Sequence, residues 1–287
     1  METQPQDIKL LVIDIDGTLL NPWRQVTART LAAVRAAQRA GIIVTLATGR
    51  RYRNSLEIAN ELGIDIPVIV CDGALIMQHP HGKVLHTRPL HASVAHQVVE
   101  VLVRHNVQPV VHHINEGYEE TWTGFSEFDT QWLTAYFAAF PDNIRRMGHA
   151  ALCLGQPDPL RIVAFASEEI IYEKLVPEIS GLHCSWNAIT RGNYGTAEMA
   201  IMNHVCSKAT GVTALAEQLG IALDQVMAIG DNNNDIEMLE AVGWGVAMGQ
   251  APDAVKAVAQ AVTASNAEDG VALAIERYAL GRATHAG

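Results

Sequence analysis

Two aspartates, Asp14 and Asp16, close an apolar run, Leu10-Leu11-Val12-Ile13, and are followed at once by Gly17-Thr18. Carboxylates one residue apart can divide the work of group transfer, one attacking and the other moving protons. Other polar groups follow apolar runs in the same way. Thr48-Gly49-Arg50 comes after Ile42 to Ala47, and Gly230-Asp231-Asn232-Asn233-Asn234-Asp235 after Val226 to Ile229; Lys208 stands just behind Ser207. Carboxylates gathered without a counterion raise one another's pKa values. A divalent cation relieves that cost, and hard oxygen donors with open positions suit Mg²⁺. Phosphoryl transfer needs a nucleophile, a bridging cation, donors for the equatorial oxygens and an acid for the leaving group. Each residue also has an ordinary reading. Asp-Gly suits a turn at a strand end, Lys208 a first helical turn, Thr48 a strand cap, and Arg50 any surface carboxylate.

The elements must bring these groups together. Leu10 to Ile13 reads as a strand buried on both faces, which points to a parallel sheet. Thr27 is placed to cap a helix over Ala28–Ala40 that Gly41 ends. Strands at Ile42–Ala47 and Val68–Cys71 follow, with a helix at Asn54–Leu62 between them. This is the cadence of a doubly wound parallel sheet, whose ligands lie at the carboxyl ends of the strands. The cadence stops after Gly73 and resumes at Ser207, the expected cap of a helix to Leu219. A strand at Val226–Ile229 follows, then a helix to Ala241, a strand at Gly245–Met248, a helix from Pro252, a short strand at Ala261–Thr263 and a helix from Gly270. The fold class is therefore α/β, with a core of residues 1–73 and 205–287 and an inserted α+β module of residues 74–204. Within the module, Leu75–Met77 and Val84–Thr87 read as a hairpin. Helices are expected at Ser93–His105, Asp129–Ala139 and Glu168–Glu178, and strands at Pro109–Ile114, Ile162–Phe165, His183–Trp186 and Thr196–Ile201.

A chain of 287 residues, 49% hydrophobic and 18% charged, is that of a globular protein. Its net charge of −11 argues against nucleic acid or an anionic membrane as partner, though a cation can still invert the field at a phosphate site. Cys71, Cys153, Cys184 and Cys206 have no metal-ligand spacing and read as packed or free thiols. No stretch reaches membrane-spanning length, and the expected place is the cytoplasm, as monomer or homodimer. His79, His81, His112 and His113 do not form a zinc pattern, since neighbours on a strand face opposite sides. They are expected to be solvated or to lie on the module's surface.

The set Asp14-Ile15-Asp16-Gly17-Thr18-Leu19, Thr48-Gly49-Arg50, Lys208 and Gly230-Asp231-Asn232-Asn233-Asn234-Asp235 resembles the four motifs of the haloacid dehalogenase superfamily of phosphohydrolases. The module is similar in place and size to the C2-type cap of its Cof-type branch. Gly245 to Gly249 and Ser265 to Val271 resemble that branch too. The resemblance implies a Mg²⁺-dependent phosphatase of small phosphorylated metabolites, with Asp14 as nucleophile and Asp16 as general acid and base. Asp16 would also offer its backbone carbonyl to the metal. Thr48 and Lys208 would hold the phosphoryl group, with Gly49, Arg50 and Asn234 at phosphate or substrate. Asp231 would ligate the metal and Asp235 would ligate it or support the ligands. Asp72, Ala209 and Gln250 stand where the family more often has Asn, Gly and Asn. A phosphotransferase or mutase shares this chemistry. A non-hydrolytic phospho-acceptor has similar groups but neither an acid at the place of Asp16 nor an insertion of this size.

Overall fold

The computed structural model describes residues 7–115, 117–190, 192 and 194–281. Strand β1 (Leu10–Ile13) is fully buried, as a strand covered on both faces must be. One wide turn follows, in which Leu19 N–H donates to Asp14 O and Leu20 N–H to Ile15 O. Then come α1 (Ala28–Arg39), β2 (Ile43–Leu46), α2 (Leu56–Glu61), β3 (Val68–Val70), β4 (Leu75–Gln78) and β5 (Lys83–Thr87). The insertion carries α3 (Ala92–Arg104), β6 (Val110–Asn115), β7 (Tyr118–Thr123), α4 (Gln131–Ala139), β8 (Ile144–Arg146), β9 (Arg161–Ala166), α5 (Val176–Ile179), β10 (Cys184–Ile189) and β11 (Ala197–Asn203). The chain ends with α6 (Lys208–Leu219), β12 (Val226–Gly230), α7 (Ile236–Ala241), β13 (Trp244–Ala247), α8 (Asp253–Val258), β14 (Ala261–Val262) and α9 (Gly270–Ala274).

Five parallel strands lie in the order β14-β13-β12-β1-β2, and a parallel bridge from Ala47 to Ile69 brings β3 beside β2. The sheet winds one way from β1 through β2 to β3 and the other way through β12 to β14. The switch point lies between β1 and β12, where such sheets bind ligands. Register completes the placement: Ile13 is level with Ile229 and with Leu46. The residues that follow each of these strands therefore share one edge. Leu10, Val12, Val226 and Ala228 pack against Val212 and Leu215 of α6 and Met238 and Leu239 of α7.

The chain divides into two compact units, one of residues up to His86 together with those from Ser207, the other Thr87–Cys206. This moves the expected boundaries of residues 74–204. β4 pairs antiparallel with β3, Ile69 opposite Ile76, and Ile76 joins the core of the first unit. The hairpin thus belongs to the core rather than the insertion. At the other crossing, Cys206 Sγ contacts Arg88 O at 3.6 Å and Ser185 Oγ donates to Cys206 O at 3.2 Å, which holds Cys206 with the second unit.

The second unit has a six-stranded sheet in the order β10-β11-β9-β6-β7-β8, antiparallel except for β7 with β8. α3 packs on one face, while α4 contributes Leu133, Tyr136 and Phe137 to a cluster with Val110, Val163 and Phe165. His79, His112 and His113 are buried, contrary to expectation, and His81 is exposed. His112 is paid for by hydrogen bonds: Arg161 Nε–H donates to its Nδ1 at 3.1 Å, and its Nε2 lies 2.8 Å from Tyr136 Oη. His113 stacks on Trp122 with ring centres 3.9 Å apart. All four cysteines are free thiols. Among the described residues no helix is long and apolar enough to cross a membrane.

Candidate active site

Asp14 leaves β1 with its N–H bonded to Ile229 O at 3.0 Å, the last rung between the two central strands. Its side chain is buried and meets Lys208, whose Nζ donates to Asp14 Oδ1 at 2.7 Å and to Asp235 Oδ1 at 2.6 Å. A lysine can be buried here because two carboxylates compensate its charge. It is the first residue of α6, set by a capping box in which Ser207 and Thr210 exchange hydrogen bonds. Asp235 Oδ2 accepts from the N–H groups of Asp231 and Asn232 at 2.9 and 3.0 Å. Both of its oxygens are thus engaged, one by Lys208 and one by the loop that carries Asp231.

Asp231 receives the Thr18 hydroxyl at 2.8 Å. Gly17 has φ +84°, and a Cβ there would overlap Asp231 Oδ2, so only glycine lets the turn pass this close. Carboxylate oxygens of Asp14, Asp231 and Asp235 lie within 4.8 Å of one another. Burial pushes the Asp14 carboxyl well above the usual range, with Lys208 opposing and Asp235 and Asp231 adding to the rise. Asp231 is pushed up to about 6, by burial first and then by Asp235. Burial would lower the Lys208 ammonium, but Asp14 and Asp235 outweigh it and hold it raised. Three acidic groups with one lysine among them are short of positive charge. A hard divalent cation fits this donor set, chiefly through Asp14 and Asp231.

The other residues singled out in the sequence fall into separate contacts. Asp16 is turned to Arg50, which grips it with Nε and Nη2 at 2.6 Å each. Thr48 is buried, and its Oγ1 accepts from Arg50 N–H at 3.2 Å. Gly49 passes close over Asp72, whose Oδ2 would sit 3.0 Å from an added Cβ. Asn234 donates to Asp72 Oδ1 at 2.9 Å, so Asp72 ties the loop after β2 to the loop after β12. Asp72 itself has φ 50°. Thr18 and Asn266 lie within the stretches that carry the resemblance but had no role assigned, and Arg24 was not singled out. Asn266 Nδ2 donates to Leu20 O at 2.8 Å, and Gln250 Nε2 to Gly17 O at 2.6 Å.

The profile of the haloacid dehalogenase-like hydrolases matches residues 11–275. The chain belongs to this family. A member from Bacillus subtilis (strain 168), a 5-amino-6-(5-phospho-D-ribitylamino)uracil phosphatase, is 29% identical over 97% of the chain and 99% of its own length. The pyridoxal phosphate phosphatase of Escherichia coli (strain K12) is 29% identical over 92% of the chain and 96% of its own. A solved haloacid dehalogenase subclass IIB sugar phosphatase aligns at TM-score 0.76 and 25% identity, covering 95% of the chain and 99% of its own.

Proposed function

We propose that this haloacid dehalogenase-like hydrolase cleaves phosphate monoesters of small metabolites through an aspartyl-phosphate on Asp14, with Mg²⁺ held by Asp14 and Asp231. The observation that carries the reading is the placement of Asp14. It sits at the carboxyl edge of the central strand, with one oxygen fixed by buried Lys208 at 2.7 Å and Asp231 close by. Lys208 engages Oδ1, which leaves Oδ2 to attack phosphorus as the ester P–O bond breaks. Asp16, whose two oxygens are held by Arg50 in this arrangement, would have to leave that guanidinium to protonate the departing oxygen. It would then take a proton from the water that attacks the aspartyl-phosphate and regenerates Asp14. Lys208 and Thr48 receive the phosphoryl oxygens. Asp235, with both oxygens occupied, positions Lys208 and the Asp231 loop. The cation, when bound, contributes charge neutralisation between Asp14 and the phosphoryl group. The substrate class rests on the named activities of the relatives, all on small phosphorylated metabolites, and we assign discrimination among them in part to the inserted unit.

The test is Asp14→Asn, assayed with p-nitrophenyl phosphate and Mg²⁺. Removing the nucleophile at nearly constant shape should cut turnover by about 10³-fold or more. Beryllium fluoride should protect wild type against thermal unfolding and leave the variant unmoved. Substantial activity in the variant would remove Asp14 from this role.

A further inference from the structure

A strand at the edge of a sheet offers a row of N–H and C=O groups to any other chain, and proteins blunt such rows with charge, proline or shortness. Most edges of this molecule are blunted. β14 has two residues. β8 has three, and two of them are Arg145 and Arg146. β5 opens on the exposed Lys83. β10, at the other edge of the six-stranded sheet, has none of these devices. Its six residues, Cys184-Ser185-Trp186-Asn187-Ala188-Ile189, include no charge and no proline.

One side of β10 is paired with β11, from Cys184 opposite Asn203 to Ile189 opposite Glu198. Outside that ladder, among the described residues, no backbone group of Ser185 to Ile189 makes a hydrogen bond. The side chains show the same missing neighbour. All six in β10 are half-buried, whereas five of the seven in β11 are buried. Cys184, Trp186 and Ala188 pack against the apolar cluster that includes α3, which leaves Ser185, Asn187 and Ile189 on the other face. The Trp186 indole N–H donates to Ser180 Oγ at 3.0 Å, so its polar atom is satisfied within the chain.

We propose that β10 pairs antiparallel with β10 of a second copy of this chain across a two-fold axis, joining their sheets into one. An uncharged strand meets no like charge when it meets itself. Under two-fold symmetry the same patch serves both chains, so the pairing closes and no β10 edge is left to extend the assembly. Pairing of β10 with β8 of another copy would not close, and Arg145 and Arg146 guard that edge. A six-residue pairing buries less than the roughly 1,200 Å² of a stable complex, and each copy carries a net charge of −11. The dimer is therefore weak, with a dissociation constant in the micromolar range.

The experiment is sedimentation equilibrium of the full chain from about 1 to 200 µM, across which the mass should rise from one chain toward two and no further. Hydrogen–deuterium exchange at the two ends of that range should slow at β10 more than at any other strand. Asn187→Lys puts like charges on both sides of the contact and should weaken association by about tenfold or more, while Asn187→Gln should hold it within about twofold of wild type. Melting temperature and hydrolysis of p-nitrophenyl phosphate check that both variants are folded. If Asn187→Lys does not fold, the exchange pattern of wild type decides alone. A mass of one chain at the highest concentration, protection centred on another strand, or a dimer that folded Asn187→Lys leaves as it was overturns the proposal.

Discussion

Lys208 neutralises Asp14 and Asp235 from inside the fold, its Nζ donating to one oxygen of each. Lys208→Ala should leave two buried carboxylates without that partner and destabilise the protein by about 3–5 kcal/mol, measured by urea unfolding without metal. A loss below about 1 kcal/mol would mean that water replaces the ammonium. Asp231 gives a pH dependence. Its carboxyl is raised to about 6 from an ordinary value of 3.8, so the fold binds its proton more tightly than the unfolded chain does. For this group, metal-free stability is greatest at acid pH and is lost as pH rises through about 4 to 6. A cation needs the ionised form. Added Mg²⁺ should therefore raise the melting temperature more at about pH 7.5 than at about pH 5, and Asp231→Asn should flatten that difference. An equal Mg²⁺ shift at both pH values would detach Asp231 from the metal. At this scale, strand ends marked Asp14 and Asp231 in the sequence, whereas Lys208 read by spacing alone as an ordinary first-turn lysine and only the other motifs singled it out. The Asp16–Arg50 pair and the Thr18–Asp231 bond were not legible. Each joins a side chain to a partner that only the folded chain brings near.

Among the elements, those with strong local punctuation were readable. Thr27 caps α1 by accepting from Thr30 N–H, Ser207 caps α6, and the long buried runs became β1, β2 and β12. β7 and β8 were missed. Glu119 and Glu120 in one and Arg145 and Arg146 in the other break the apolar alternation, and their pairing is long-range. The hairpin of β4 and β5 was read as a hairpin but put in the wrong unit, because its partner β3 lies across a turn that no periodicity reveals. The turn after β1 provides a test by contrast. Gly17 and Gly41 have nearly the same φ, +84° and +85°, yet a Cβ at Gly41 would meet nothing within 4 Å while one at Gly17 would collide with Asp231. Gly41→Ala should cost only the left-handed backbone, about 1–2 kcal/mol, with turnover kept. Gly17→Ala should displace Asp231 as well, lowering turnover by about 10²-fold and raising the Mg²⁺ concentration needed for half-maximal rate. If the two variants lose activity alike, backbone strain rather than the collision is the cause.

At the scale of the whole molecule, the charge that governs stability is divided between the units. The carboxylates that would hold a cation all belong to the unit containing β1 and β12, which has its own apolar cluster. The other unit has a separate core and a buried histidine, His113, pushed down to about 4 by burial, with Glu120 opposing and Arg145 adding to the fall. Its folded-state value lies below the ordinary 6.5, so the neutral ring in the fold contributes stability above about pH 6.5. That contribution is lost as pH falls through 6.5 toward 4, when the unfolded chain takes up the proton first. The two units should accordingly answer to different variables. Scanning calorimetry of the full chain should resolve two transitions. Mg²⁺ should raise only one of them, and lowering the pH from about 7 to 5 should lower the other. His113→Gln should remove much of that acid sensitivity while leaving the Mg²⁺-responsive transition in place. A single transition that moves as a whole with both Mg²⁺ and acid would mean that the units unfold as one cooperative body, with the electrostatic cost at Asp14 and Asp231 spread over both cores.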